Sequence, residues 1–379
     1  MKTNYDVLII GGGIMGCSLA YRLAQRGTSV VVIEKTTCGS EASGRNSSGV
    51  RAQMRDPKEL LLAMESIAMW QTLSEELDFD VEYRRIGNLA MAYTEERMEE
   101  YRERVAREQA AGLPVRMLDM SEIRDRLPNV ALEDGIDGCE FLGGTLCDCD
   151  GTADPLRATL AFANAAKRAG ATILIGTEVT GLTVENHKVT RVQTTSGNFS
   201  AGVVVNAAGP WAQGIGKMAG LHVPVQPYLC QVCVTQKLPP DTLRHYLSIH
   251  PYAYWNQTAH GNLLFTNAHA PLNQFPRHDV GYDVVEFLCN VTNRMFRKIN
   301  LGSLPLIRTY SGWNEVSPDG CAMIGFASDP ENFFVDAGYS GHGFCLGPAS
   351  GVACADLILD GHTKLHVDEL AYSRFEKKL

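Results

Sequence analysis

The fold is decided by the first strand and the loop after it, Tyr5-Asp6-Val7-Leu8-Ile9-Ile10-Gly11-Gly12-Gly13-Ile14-Met15-Gly16. An apolar strand runs directly into the pattern G-x-G-x-x-G, whose glycines are Gly11, Gly13 and Gly16. In such a loop the first glycine makes a tight turn, the second admits a pyrophosphate, and the third lets the next helix pack on the strand. An amphipathic helix follows to about Gln25, and its free N–H groups would face the pyrophosphate.

A second apolar strand, Ser29 to Ile33, ends in Glu34. An acid about 20 residues after the glycine loop accepts hydrogen bonds from a ribose. The order strand, glycines, helix, strand and acid therefore predicts dinucleotide binding. A bare glycine-rich turn is the alternative, but it leaves Glu34 unexplained. These residues by themselves do not choose between NAD and FAD.

The composition is typical of a soluble enzyme. The 379 residues exceed one ordinary core, so two domains are expected. Hydrophobic residues make up 45% of the chain and charged residues 20%, as in globular proteins. The net charge of −9 argues against nucleic acid and anionic membranes as partners. No stretch reaches the roughly 18 apolar residues of a membrane span. The early first strand leaves no room for a signal peptide, so a cytoplasmic protein is expected.

The cysteines are odd in number, 11, and scattered, which is typical of a reducing compartment. Two close pairs occur, Cys147 with Cys149 and Cys230 with Cys233. Neither pair is accompanied by a second pair or by histidines at the spacing of a metal site. We therefore expect buried thiols rather than a metal or redox site, and no bound metal.

The pattern of elements predicts an α/β protein in two parts. A Rossmann-like nucleotide-binding domain is expected to be discontinuous, built from residues 1–85, 145–220 and 321–379. Residues 86–144 and 221–320 are rich in short strands, and they are expected to form a second, α+β domain on an antiparallel sheet. Within the first domain, a helix begins at Asp154-Pro155, and a final buried strand precedes a helix from about Pro348 to Leu359.

Six motifs occur in order along the chain and identify a resemblance. They are the opening glycine loop with Glu34, the stretch Gly39 to Asn46, Asp150-Gly151 leading to Asp154-Pro155, Asn206 to Trp211, Ser317-Pro318-Asp319-Gly320 with Ile324-Gly325, and Gly338 to Gly343. With them the whole chain resembles the D-amino-acid oxidase/sarcosine oxidase superfamily of FAD enzymes. It looks most similar to beta subunits of heteromeric sarcosine oxidases and to dehydrogenases of the proline, hydroxyproline and opine type.

The resemblance implies non-covalent FAD as the cofactor, and it implies which residues hold it. The glycine loop would meet the pyrophosphate, Glu34 the ribose and the Val179 backbone the adenine. The residues that the resemblance assigns to FAD are Gly11, Gly13, Ile14, Met15, Gly16, Glu34, Lys35, Ser43, Gly44, Arg45, Asn46, Val179, Ala208, Gly209, Trp211, Gly341, His342, Gly343 and Phe344.

The resemblance also implies the reaction, which is oxidation of a small amino acid at its amine, with hydride transfer to flavin N5. Arg51 aligns with the arginine that grips the substrate carboxylate, and His342 is the candidate polar group over the flavin. Each has a structural alternative, in which Arg51 pairs with a carboxylate of the protein and His342 with its own loop. Tyr254 and Trp255, with Tyr252, are candidate pocket walls, although aromatic residues of a sheet more often lie in a core.

The chain also departs from the family pattern. Cys345 stands where monomeric sarcosine oxidases have a lysine, and Asn314 stands where other members have a carboxylate-binding arginine, so Arg308 is the substitute candidate. Gly312 replaces the cysteine that holds flavin covalently. Residues 255–275 contain no lysine, whereas the oxidases use one there to activate oxygen. A dehydrogenase or a slow oxidase is therefore expected, and efficient reaction with oxygen would point to another cation, His342 or His269.

Two other functions remain open at this stage. One is a hydroxy-acid or polyol-phosphate dehydrogenase of the same superfold, although no basic cluster for a phosphate supports it. The other is an FAD-binding subunit that assembles with a partner chain and passes electrons to it. In every case the expected partners are a small substrate and an electron acceptor, either oxygen or a partner subunit in a hetero-oligomer.

Overall fold

A computed structural model describes residues 2–136, 138–267, 275–299 and 305–376. The strands are β1 Asn4–Ile10, β2 Val30–Ile33, β3 Gly49–Val50, β4 Asn88–Ala92, β5 Val115–Leu118, β6 Gly143–Cys147, β7 Gly151–Thr152, β8 Thr172–Leu174, β9 Val179–Glu185, β10 Lys188–Thr194, β11 Gly197–Asn206, β12 Gln226–Lys237, β13 Tyr246–Ile249, β14 Ala253–Gln257, β15 Asn262–Asn267, β16 Leu306–Val316, β17 Met323–Phe326 and β18 Phe333–Ala337.

The α-helices of the described residues connect or follow these strands. They are α1 Ile14–Gln25, α2 Ala42–Arg45, α3 Pro57–Trp70, α4 Leu73–Glu76, α5 Glu95–Ala110, α6 Met120–Arg126, α7 Pro155–Arg168, α8 Ala212–Met218, α9 Tyr282–Met295 and α10 Gly343–Asp360. Short 3₁₀ turns cover Leu132–Asp134, Gly209–Trp211, Arg297–Ile299, Asp368–Leu370 and Tyr372–Phe375. The cap of α7 is the predicted one, because the Asp154 side chain accepts a hydrogen bond from the Arg157 backbone N–H at 2.8 Å.

The first sheet has the order β17-β18-β11-β1-β2-β8. Strand β1 pairs in parallel with β11 on one side and β2 on the other, and β18 continues the parallel set. Its strands come from the beginning, middle and end of the chain, which confirms the Rossmann-like fold class. Because parallel strands end at one edge, the glycine loop, Glu34 and the residues after Asn206 meet there.

The second sheet has the order β16-β12-β15-β14-β13-β4-β6-β5, and it is antiparallel except where β13 pairs with β4. Strand β6 belongs to this sheet, since Cys147 pairs with Asn88 of β4 and with Val115 of β5. The predicted boundary between residues 144 and 145 cuts through this strand and is wrong. The crossing falls after Cys147, because a strand that is hydrogen-bonded on both sides cannot be divided between two sheets.

Helix α10 packs between α1 and α3 in the main core. Among the described residues, it is the one helix whose length and apolar composition would suffice to cross a membrane, but most of it is buried inside the protein. It begins at Gly343, earlier than the predicted Pro348, and Pro348 lies inside it. A proline near the start of a helix removes one hydrogen bond without ending the helix, which is why the sequence placed this start too late.

Candidate functional site

A cleft of about 1330 Å³, including its open mouth, lies at the edge where the parallel strands end. Residues of both sheets line it, from Gly11 and Glu34 on the first sheet to Asn314 on the second. The cleft therefore lies where the two sheets meet.

The glycine loop closes one wall of the cleft because no side chain fits there. Gly11 has φ of +115°, and a Cβ on it would lie 2.3 Å from the carbonyl oxygen of Ala207. A Cβ on Gly16 would lie 2.0 Å from the carbonyl oxygen of Gly11, so α1 can pack this closely on β1 only with glycine. Gly11 and Gly13 line the cleft together with Ile14 and Met15, whereas Gly16 supports the loop from behind.

Glu34 connects the glycine loop to the end of β2. One carboxylate oxygen accepts a hydrogen bond from the Gly12 backbone N–H at 2.7 Å, and the other accepts one from the Thr36 backbone N–H at 2.8 Å. Its side chain is buried and lines the cleft. Glu34 therefore shapes the loop, and it presents acceptor capacity to a ligand at this end.

The four residues from Ser43 to Asn46 do not share one face. Ser43 and Asn46 line the cleft, and the Ser43 hydroxyl accepts a hydrogen bond from the Ile14 backbone N–H at 2.9 Å. Gly44 and Arg45 instead line a second cavity, and Arg45 donates to the carbonyl oxygen of Ser311 at 2.8 Å. Successive residues of the single turn α2 point in different directions, so the Arg45 side chain lies outside this cleft, and its contact with the cofactor stays a prediction.

The opposite wall contains the other residues assigned to the nucleotide end. Val179, Ala208, Gly209 and Trp211 all line the cleft, as does Lys35. The Lys35 ammonium lies 3.1 Å from the centre of the Trp211 ring, a cation–π contact. Burial lowers the pKa of Lys35.

The loop before α10 splits in the same way. Gly341, Gly343 and Phe344 line the cleft, and the N-terminus of α10 begins beside them. The His342 side chain faces away, with its Nδ1 atom 2.7 Å from a carboxylate oxygen of the fully buried Glu59. The prediction that His342 lies over the cofactor is therefore not matched by its side chain, which belongs to the layer behind the loop.

Two buried acids at the cleft were missed by the sequence reasoning. Glu315 and Asp336 both line it, and Asp336 receives a short hydrogen bond from the hydroxyl of Tyr339. Burial raises the pKa of both carboxyls, that of Asp336 to about 7. The second oxygen of Asp336 has no hydrogen-bond partner, and the only signal for it in the sequence was an acid inside an apolar strand.

Arg51 does not line the cleft itself, but it lies close to Cys345, next to Phe344, and is half-buried. Its guanidinium carbon is 5.0 Å from the ring centre of Tyr246 and 5.4 Å from that of Tyr254, and its buried Nε atom has no hydrogen-bond partner among the residues that the structure describes. Burial acts to lower the pKa of Arg51, but the two tyrosines and Asp150 act in the opposite direction, and the net shift is upward. The guanidinium is thus held charged, with donor capacity to spare.

The loop that carries Arg51 is fixed by a buried carboxylate. Asp150 accepts the backbone N–H of Ala52 at 2.7 Å and that of Gln53 at 3.4 Å. Burial raises its pKa to about 7, although both backbone donors and the nearby Arg51 and Arg55 lower it. Arg55 is a second buried cation, with its Nε donating to the Arg51 carbonyl at 3.1 Å. The sequence signal that could have indicated Arg55 was its position four residues after Arg51.

Other candidates lie elsewhere. Arg308 is exposed on β16 and lines the second cavity, apart from Arg51. Trp255 is in the core of the second sheet, where its indole N–H donates to Thr292 at 2.9 Å. Tyr252 packs beside that core against Tyr93. Of the three aromatic residues proposed as walls, Tyr254 faces Arg51. Trp255 points to the other side of the sheet, because successive residues of a strand face opposite sides.

The donor set of the cleft fits FAD. The glycine loop and the start of α1 offer backbone N–H groups where a Cβ has no room, and Glu34 offers acceptors at the end of β2. Gly312 has no thiol with which to bond a flavin. A Cβ at this position would already lie 2.8 Å from the side chain of Arg45. The residues present would hold the cofactor without a covalent bond to position 312.

The family model for FAD dependent oxidoreductases, DAO, matches residues 6–357. The chain belongs to this family. It is accordingly an FAD-dependent oxidoreductase that acts on amino acids, as the resemblance implied.

Several relatives extend over nearly the whole chain. Sarcosine oxidase subunit beta from Arthrobacter sp is 26% identical over 377 residues, which are 99% of this chain and 92% of that protein. Glycine oxidase from Geobacillus kaustophilus (strain HTA426) is 29% identical, covering 94% of each. The crystal structure of L-proline dehydrogenase from P. horikoshii has a TM-score of 0.92 at 31% identity, covering 99% of this chain and 98% of that one.

The first prediction concerns Glu34. In Glu34→Gln, the group facing the Gly12 N–H loses its charge, and a charged hydrogen bond contributes about 1.5–3 kcal/mol. The affinity for FAD should fall by about one to two decades, measured by fluorescence titration of the apoprotein. Glu178→Gln is the matched control, because Glu178 lines the same cleft but is exposed. An unchanged affinity in Glu34→Gln would show that this carboxylate does not support FAD binding.

Proposed function

We propose that the protein oxidises the carbon–nitrogen bond of a small amino acid, sarcosine-, proline- or D-amino-acid-like, to an imine. The observation that carries this proposal is the charged guanidinium of Arg51, half-buried at the end of the cofactor cleft with an unpartnered Nε. FAD, when bound, supplies the hydride acceptor at its N5 atom. The names of the similar proteins, sarcosine oxidase, glycine oxidase and L-proline dehydrogenase, agree with a small amino acid as substrate.

The chain's own residues would bind and orient the substrate. The Arg51 fork suits a carboxylate, which it can engage through two parallel hydrogen bonds. The rings of Tyr246 and Tyr254 keep the guanidinium in one place, and their faces exclude water from it. Tyr228 of the second sheet packs closely against the loop before α10, because a Cβ on Gly341 would lie only 2.6 Å from the Tyr228 hydroxyl. A substrate held by its carboxylate therefore presents its α-carbon to the cleft at a fixed distance.

His342 and Glu59 would set the local proton balance. Burial lowers the pKa of His342, and the nearby cations Arg55 and Arg51 lower it further, whereas its hydrogen bond to Glu59 raises it. His342 is therefore neutral at pH 7, and it adds no charge to that of Arg51 and Arg55. A nearby cation lowers the pKa of an amine, so these two arginines, rather than His342, would favour the unprotonated amine that the reaction requires.

The second prediction separates the two candidate arginines. Arg51→Ala should lower kcat/KM by at least ~100-fold, because a buried carboxylate that loses its charged partner costs about 3–5 kcal/mol. Arg51→Lys should recover little of this loss, since the two-pronged geometry is gone. Arg308→Ala is the control and should leave kcat/KM close to that of the parent protein. The assignment is wrong if anaerobic flavin bleaching by a carboxylated substrate keeps its rate in both Arg51 variants.

The third prediction concerns pH. Protonation of His342 adds a third cation close to Arg55 and Arg51, and the repulsion would disturb the Arg51 anchor, so kcat/KM should fall on the acidic side of its profile. Glu59→Gln removes the interaction that raises the pKa of His342, and the acidic limb should therefore move to lower pH. Glu65→Gln is the matched control, because Glu65 lies on the same helix and pairs with the exposed His366 at 2.8 Å. An acidic limb that stays in place in Glu59→Gln would exclude His342 as the titrating group.

We further propose a partner subunit, rather than oxygen, as the efficient electron acceptor. Cys345 occupies the position of the family lysine, it is 1% exposed, and burial raises its pKa to about 12, so it carries no charge at pH 7. One of the similar proteins is a sarcosine oxidase subunit beta, and a subunit of this kind supports an assembly with other chains. His269, the other residue considered for oxygen activation, lies outside the described residues.

The fourth prediction tests the acceptor. Oxygen gains negative charge as it is reduced, and a fixed cation stabilises that charge. With a neutral thiol at position 345, the reduced protein should react slowly with oxygen and faster with an artificial acceptor, as measured by stopped-flow reoxidation. Oxygen reactivity that matches that of efficient oxidases would contradict this, and it would assign the role of the missing lysine to Arg55.

A further inference from the structure

The turn between β6 and β7 brings two thiols together. The Sγ atoms of Cys147 and Cys149 lie 3.1 Å apart, with Cys147 buried at the end of β6 and Cys149 half-buried in the turn. The other close pair in the sequence is separated, because Cys230 faces Thr266 at 3.3 Å whereas Cys233 lies in the core of the second sheet. The expectation of isolated buried thiols therefore fits Cys230 and Cys233 but not Cys147 and Cys149.

Asp150 completes the only group of three metal-ligand types that the described residues bring together. Its carboxylate is already used, since one oxygen accepts the Ala52 N–H at 2.7 Å and the other the Gln53 N–H at 3.4 Å. A bound cation would have to compete with both hydrogen bonds and with the nearby Arg51 and Arg55. The arrangement therefore favours sulfur–sulfur chemistry over metal binding.

We propose that Cys147 and Cys149 form a reversible disulfide when the protein meets a peroxide. The Cys149 sulfur attacks one peroxide oxygen, the O–O bond breaks, and a sulfenic acid forms while the other oxygen leaves as water. The Cys147 sulfur then attacks the sulfenic sulfur, its S–O bond breaks, and a second water leaves with the Cys147 proton. The two sulfurs lose two electrons in total, and the peroxide gains them.

The local electrostatics assign the order of these steps. The hydrogen bond to Cys149, burial and the Asp150 charge all raise the pKa of Cys147, so that thiol keeps its proton. Cys149 is the more accessible of the two and is the sulfur that a dissolved peroxide reaches first. Cys147, fixed in β6, then acts as the resolving thiol.

The disulfide would lie in a segment that holds Arg51 from both sides. Gly151 pairs with Val50, and Asp150 accepts the N–H of Ala52, so the residues just before and just after Arg51 are bonded to the turn. Closing the sulfur–sulfur distance from 3.1 Å to a bond must shift this turn. If Arg51 binds the substrate carboxylate, as in the proposed function, oxidation raises KM by about tenfold.

The experiment uses the full-length Cys139→Ser protein, in which the tryptic peptide 127–157 keeps only Cys147 and Cys149 as cysteines. After treatment with hydrogen peroxide, mass spectrometry should show this peptide lighter by two hydrogen atoms, with full recovery after dithiothreitol. Cys149→Ser and Cys147→Ser in the same background should each abolish the loss. An unchanged peptide, or one that only gains oxygen atoms, overturns the disulfide and leaves the proposed function untouched.

Kinetics form the second arm. In the Cys139→Ser protein, KM should rise on oxidation and recover on reduction, while the Cys149→Ser variant keeps a constant KM under the same treatment. A disulfide that forms without any change in KM overturns the coupling to Arg51. Loss of activity in Arg51→Ala, measured on reduced protein, tests the proposed function separately.

Discussion

The carboxylate of Asp150 accepts the backbone N–H groups of Ala52 and Gln53, and the geometry of the candidate site depends on these two hydrogen bonds. Asp150 lies in the turn between β6 and β7, whereas Ala52 lies shortly after β3. A buried carboxylate that lost these donors would face a large desolvation penalty, so the contact fixes how the two segments meet. Arg51 lies next to the accepted N–H groups, and its position follows from that contact.

The charges around this contact come from Arg51, Arg55 and the buried acids near them. Arg51 and Arg55 are two cations, and the buried acids near them are Asp150 and Glu59. Burial and Arg51 lower the pKa of Arg55, whereas Glu59 and Asp150 raise it. Because Glu59 also holds His342, Arg51 is the cation that a carboxylate ligand of the proposed function would pair with.

The cofactor cleft shows the opposite arrangement. Glu315 and Asp336 are buried acids whose pKa values are raised, so burial weakens the negative charge that they would present to a diphosphate. The basic side of the cleft is supplied by backbone N–H groups and by Lys35 over Trp211, rather than by a cluster of side-chain cations. Arg51 and Arg55, in contrast, lie together outside the cleft lining.

The sequence by itself determined the parts that rest on local rules. The glycine spacing, the strand before it and Glu34 after it predicted the first sheet and its cleft. The prediction was possible because Gly11 and Gly16 occupy positions where a Cβ would collide with the backbone, so the glycine pattern marks this turn in the sequence. The family motifs predicted FAD and singled out Arg51. The sequence could not give the direction in which each side chain points. Arg45 and His342 follow the motif in position but face other layers, since neighbouring residues of a turn diverge.

Only the tertiary structure decided which distant residues meet. Glu59 contacts His342 across 283 residues of sequence, and no local pattern couples them. The placement of β6 follows from strand register in the second sheet, where Cys147 pairs with Asn88 and Val115. Register is set by the packing of whole faces, and that packing depends on every strand at once, so a motif read along the chain does not contain it.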